Sequence, residues 1–178
     1  DQQVLGTRIG GALVDEQRLV TAASPGHSQR GLADAGRAGQ PRRQRQIGIV
    51  DDQPASVKLL AAKLTNEYYQ VLTAQDGPAA LEAVERDAPD LVLLDVMMPG
   101  MDGFDVCRQI KQNPKHTHIP VVIITALGSR EDRVRGLEAG ADDFLTNPVD
   151  DTTLFARVRS LVRLKHMLEQ WRMREATS

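Results

Sequence analysis

Short, continuous apolar runs punctuate the second three-quarters of the chain: "IGIV" (47–50), "LVLL" (91–94) and "VVIIT" (121–125). Runs of this length without polar alternation predict parallel strands covered on both faces. "YQVLTA" (69–74) is more polar and predicts an edge strand, while "FLT" (144–146) predicts a fifth strand, short and buried. Between the runs the apolar spacing changes to a helical period. Val57, Leu60, Ala61 and Leu64 fall on one face of a first helix. Asp76 with Pro78 opens a second around Ala80, Leu81 and Val84, and Phe104, Cys107 and Ile110 mark a third. "SRED" (129–132) predicts a capping box for a fourth, which Gly140 closes, and a long fifth begins near Asp150. Strand and helix alternate throughout, which predicts an α/β domain with a parallel sheet between layers of helices.

The first 46 residues break this pattern. They hold half of the 14 glycines, no aromatic residue, and the run "GRAGQPRRQRQ", a composition that buries too little surface to offset chain entropy and predicts a disordered, flexible arm. "GGALVDEQRLVTAAS" (10–24) resembles the stretch that leads to the catalytic histidine of chymotrypsin-like proteases. Ser24 stands at the histidine position and no nucleophile motif follows, so the match is read as chance.

Composition narrows the function classes. The chain has 178 residues, 41% hydrophobic, and no apolar run near the ~18 residues of a membrane span. A soluble, cytoplasmic protein is expected, and the single cysteine, Cys107, fits a reducing compartment. Seven arginines against four acids give residues 1–46 a net charge of +3, whereas residues 47–178 carry 15 bases and 20 acids, a net of -5. That acidic domain argues against nucleic acid as a partner.

In open parallel sheets, ligands bind outside the carboxyl ends of the strands. There the first predicted strand delivers Asp51 and Asp52, the third Asp95, the fourth Thr125 and the fifth Asn147. Three carboxylates brought together must hold protons or recruit a cation, and all-oxygen ligands select a hard ion such as Mg2+. Zinc is disfavoured: His27 and His166 are remote, and His116 and His118 sit in a polar loop where a solvated role is expected. A carboxylate beside Mg2+ can attack a phosphoryl group, and Asp95, exposed by the tight loop "VMMPGMDG", is the candidate nucleophile. Thr125 is placed to donate a hydrogen bond to a phosphoryl oxygen. A metal-dependent phosphatase is disfavoured because Met97 stands where a second acid would serve as general acid.

Taken together, the acid pair Asp51 and Asp52, "LLDVMMPGMDG" around Asp95, "ITA" ending at Ala126, and "GADDFLTNP" resemble the receiver domain of bacterial two-component response regulators. "AKLTNEYYQVLTAQDGPAALE", "HIPVVIITAL" and "LFARVRSLVRLK" resemble the first receiver of PleD-like regulators, which precede a diguanylate cyclase domain. The resemblance implies a CheY-like, flavodoxin-like doubly wound sheet of order 2-1-3-4-5 over residues 47–165. It implies phosphotransfer from a histidine kinase or phosphotransfer protein to Asp95. Mg2+ would be held by Asp52, Asp95 and the backbone carbonyl of Met97, with Asp51 supporting through water, and Phe144 occupies the family's switch-aromatic position. The chain lacks a cyclase GG(D/E)EF signature, since Ala12 and Leu13 follow Gly10-Gly11. It is therefore expected to be a signalling module and not an independent enzyme, with its output elsewhere. Residues 166–178 are expected to continue the last helix, where Leu161, Leu164, Leu168 and Trp171 space a seam suited to a stalk or a homodimer, formed through this helix or the receiver itself.

One departure stands out. Receivers normally carry lysine where this chain has Asn147. Asparagine keeps a hydrogen-bond donor but is shorter and neutral. Mg2+ binding should be no weaker, whereas the phosphorylated state loses a charge-assisted bond worth ~1.5–3 kcal/mol. The alternative function is accordingly a pseudo-receiver, an interaction module with little phosphorylation-dependent switching.

Overall fold

A computed structural model describes residues 43–177, so the expected arm and the protease-like stretch lie outside the described residues. The elements follow in strict alternation: β1 (Gln46–Val50), α1 (Pro54–Asn66), β2 (Gln70–Ala74), α2 (Gly77–Asp87), β3 (Leu91–Leu94), α3 (Gly103–Gln112), β4 (Val121–Thr125), α4 (Arg130–Glu138), β5 (Asp143–Thr146) and α5 (Asp151–Glu175). The five strands form one sheet in the order β2-β1-β3-β4-β5 with every pairing parallel. This is the flavodoxin-like order, and the reversal of winding direction at β1 opens a crevice above β1 and β3.

The apolar runs split by parity, because successive side chains of a strand point to opposite faces. Ile47, Ile49, Leu91, Leu93, Val122 and Ile124 pack with Val57 and Leu64 of α1 and with Leu154, Val158 and Val162 of α5. Val50, Val92, Leu94, Val121 and Ile123 pack on the other face with Val84 of α2 and Phe104, Cys107 and Ile110 of α3. β2 is an edge strand as expected. β5 is half-buried throughout, not fully buried, because it forms the sheet's other edge and has a strand neighbour on one side alone.

The helix starts obey their capping residues. Asp76 accepts from the Ala79 amide at 2.8 Å, Asp102 from Asp105 at 2.9 Å and Asp150 from Thr153 at 2.9 Å. At α4 the Asp132 amide donates to Ser129 Oγ at 3.1 Å, but the Asp132 carboxylate accepts from the Ser129 hydroxyl at 2.6 Å instead of reaching back to its amide. Gly140 follows α4 at φ +90°, a conformation that a Cβ would strain.

Two polar features differ from the sequence expectation. His116 is buried, not solvated: the turn after α3 folds the ring toward α2, where Nε2 meets the Glu85 carboxylate. Lys165, on the helix expected to leave the sheet, is also buried, and its ammonium binds Asp90 at 3.1 Å and Glu169 at 2.9 Å. α5 runs on past that anchor, and Leu164, Leu168 and Trp171 are exposed, whereas Leu161, the first residue of the expected seam, is partly buried against the core of its own domain. Among the described residues no helix is long and apolar enough to cross a membrane.

Candidate functional site

β1 and β3 lie side by side, with Val50 paired to Leu94, so the residues following them emerge at adjacent points of the crevice. The Asp95 amide donates to the Val50 carbonyl at 2.9 Å and locks the two strand ends together. Asp51, Asp52 and Asp95, all half-buried, thereby bring carboxylate oxygens within 4.8 Å of one another. Three of the predicted acids thus form one cluster.

Each acid is oriented by its own loop. Asp51 accepts from the Gln53 amide at 2.8 Å, which turns the chain into α1, and Ser56 lines the same cleft. Asp95 Oδ1 accepts from the Val96 amide at 2.8 Å. Thr125 is fully buried at the end of β4, and its hydroxyl accepts from the Leu127 amide at 3.3 Å. Met97 is exposed two residues beyond Asp95.

Gly103 makes this loop compact. A Cβ there would lie 2.1 Å from the Asp95 carbonyl oxygen and 2.7 Å from Val96 Cα, so the start of α3 presses directly on the backbone that presents Asp95. Gly103→Ala is expected to cost about 1–3 kcal/mol by overpacking, read as a lower denaturation midpoint, with Asp95 displaced. Wild-type stability in that variant would contradict the close contact.

Asn147 closes the site from β5. Its amide donates to the Thr125 carbonyl at 2.8 Å, a cis peptide joins it to Pro148, and its exposed side chain faces a cleft of about 200 Å³ lined also by Asp51, Asp95, Ser56 and Lys63. Lys63, the one lysine of that lining, is engaged with Asp151 at 2.7 Å. Phe144, two residues before Thr146 on the same strand face, lies half-buried against α4: a Cβ at Gly136 would sit 2.9 Å from its ring.

The cluster is electrostatically strained. Burial, and then the charge of Asp51, hold the Asp95 carboxyl above the usual carboxylate range; burial, and then Asp52, do the same for Asp51. An acid with a higher pKa folded than unfolded binds its proton more tightly in the folded state. Its favourable contribution is complete below the ordinary value of 3.8 and is lost as pH rises through the raised folded value. Near neutral pH both groups therefore oppose folding. Asp51→Asn is expected to raise the thermal midpoint near neutral pH without divalent ions, by a margin that shrinks as pH falls toward the acid range. A variant no more stable than wild type at neutral pH would contradict this.

The family described as "Response regulator receiver domain" matches residues 47–159. The chain belongs to the response regulator receiver family. It is 62% identical over 132 residues to "Response regulator PleD" of Caulobacter vibrioides, covering 74% of this chain and 29% of that relative. It is 46% identical over 118 residues to "Transcriptional regulatory protein TcrA" of Mycobacterium tuberculosis, covering 66% of this chain and 46% of that protein. The chain thus spans less than half the length of these relatives. Among solved structures, the receiver domain of a signal transduction histidine kinase from Syntrophus aciditrophicus superposes with a TM-score of 0.64 at 39% identity, covering 67% of this chain and 90% of that one. The "BeF3-activated" receiver of Klebsiella pneumoniae RstA gives 0.62 at 36%, covering 67% and 99%. The PleD-like character expected from the helix and strand segments is therefore borne out.

In this receiver domain, residues that sequence reasoning passed over complete the site. Ser56 shares the cleft with Asp51, and Gly103 backs Asp95. "DDQPAS" did carry a signal for the first, since a hydroxyl in the first turn of α1 lies beside the acid that precedes the helix.

Proposed function

We propose that this chain is a phosphoacceptor receiver domain of a two-component phosphorelay, with Asp95 as the residue phosphorylated. The observation that carries the reading is the Asp51–Asp52–Asp95 cluster at the winding reversal of the sheet. Asp95 Oδ attacks phosphorus as the P–N bond of a phosphohistidine on a kinase or phosphotransfer protein breaks, and the imidazole nitrogen keeps the electron pair. The buried Thr125 hydroxyl is positioned to donate to the phosphoryl group once it is on Asp95.

The donor set fits Mg2+: carboxylate oxygens cluster, and two of the acids are held above their ordinary range by burial and mutual repulsion. Asp52, Asp95 and the Met97 carbonyl would hold the ion, with Asp51 assisting through water. When bound, Mg2+ would supply positive charge that offsets the negative charge of the carboxylates and of the incoming phosphoryl group. Phe144 is the switch aromatic in this reading. The exposed seam of Leu164, Leu168 and Trp171 supports homodimerisation or a stalk leading to an output domain, by analogy with PleD a diguanylate cyclase.

Asn147 favours a second reading, a pseudo-receiver that binds partners with little phosphorylation-dependent switching, because the cleft beside Asp95 has no lysine at the end of β5. Incubation with a small phosphodonor, with and without Mg2+, followed by intact mass, tests the first. One phosphoryl adduct per chain that requires Mg2+ is expected; its absence would overturn the reading.

A further inference from the structure

Phe144 and Thr146 alternate onto the same face of β5, and one side chain of α4 engages both. The Arg133 guanidinium carbon lies 5.5 Å from the Phe144 ring centroid, and Nη2 donates to Thr146 Oγ1 at 3.1 Å. Two glycines give these groups their room. The Phe144 ring occupies the space of a Gly136 side chain, and a Cβ at Gly128 would lie 3.0 Å from Thr146 Cγ2. Arg133 and Gly136, three residues apart on one face of α4, thus meet the Phe144 ring together.

Thr146 is paired with Thr125 and immediately precedes Asn147. A movement of the Phe144 ring, or of the end of β5 relative to α4, disturbs an Arg133 contact. We infer that Arg133 is a positioning residue that holds Phe144 and Thr146 in the arrangement seen here, a brake on leaving it. The inference rests on the phosphoacceptor reading above for its functional half. The ring seat itself does not depend on it.

A cation over a half-buried ring and one hydrogen bond at the surface together bias a two-state equilibrium by about threefold to tenfold. The chain has three phenylalanines, so 4-fluorophenylalanine labelling gives three ring signals, with that of Phe144 identified by its loss in Phe144→Leu. Arg133→Met is expected to displace the Phe144 signal and leave those of Phe104 and Phe155 in place. Arg133→Lys, which keeps a cation over the ring, should move it less. Titration with beryllofluoride and Mg2+ should convert the Phe144 signal at a concentration about threefold to tenfold different in Arg133→Met from that in wild type, lower where the arrangement seen here is the one that beryllofluoride displaces.

An unmoved Phe144 signal in Arg133→Met, or equal displacement by Met and Lys, would overturn the seat. An unchanged beryllofluoride requirement would overturn the brake alone. No beryllofluoride response in wild type or either variant would sink the phosphoacceptor reading and the brake together, while the unliganded spectra still decide the seat.

Discussion

Asn147→Lys is expected to strengthen the phosphorylated state relative to the unphosphorylated one by about tenfold to a hundredfold. The new ammonium would enter the cleft that Asn147 shares with Asp51 and Asp95, where no other lysine than Lys63 is present, and Lys63 is held by Asp151. A charge-assisted bond from that ammonium to a phosphoryl oxygen is worth about 1.5–3 kcal/mol, and each 1.4 kcal/mol is a factor of ten. Before phosphorylation the same ammonium would neutralise part of the acid cluster, so Mg2+ affinity should fall. The two effects have opposite signs, which makes the pair diagnostic. Calorimetric titration with Mg2+ and light scattering after labelling read them separately. Tighter Mg2+ binding in the variant, or labelling and assembly both unchanged, would show that residue 147 does not govern the switch.

Asp95→Asn is expected to abolish phosphoryl labelling while leaving the fold in place. The amide keeps an acceptor for the Val96 amide, but it lacks the charged oxygen that attacks phosphorus. Removing one of three clustered charges should also stabilise the protein without divalent ions and weaken Mg2+ binding. Circular dichroism with intact mass checks both halves. A labelled Asp95→Asn protein would place the chemistry elsewhere, with Asp51 and Asp52 the nearest carboxylates.

The sheet was legible because its strands are short apolar runs and their burial on two faces leaves no polar alternation to misread. The acid cluster was legible for a related reason: each acid directly follows a run, so strand ends predict its position. What local pattern could not show depends on contacts between distant segments. His116 sits in a polar stretch, yet the turn after α3 brings it onto Glu85, 31 residues earlier. Lys165 looks like part of a solvated helix face, but Asp90 at the start of β3 draws it inward across 75 residues. The partial exposure of β5 follows from its place at the sheet edge, which composition does not encode. Arg133 carried no signal at all, since its partners Phe144 and Thr146 become neighbours only when α4 packs on β5.

The central claim is that Asp95 carries the phosphoryl group. Borohydride reduction after labelling converts an aspartyl phosphate to homoserine, and peptide mapping then locates it. The account predicts Mg2+-dependent homoserine at position 95 and nowhere else; homoserine at Asp51 or Asp52, or none in a protein that binds Mg2+, would contradict it.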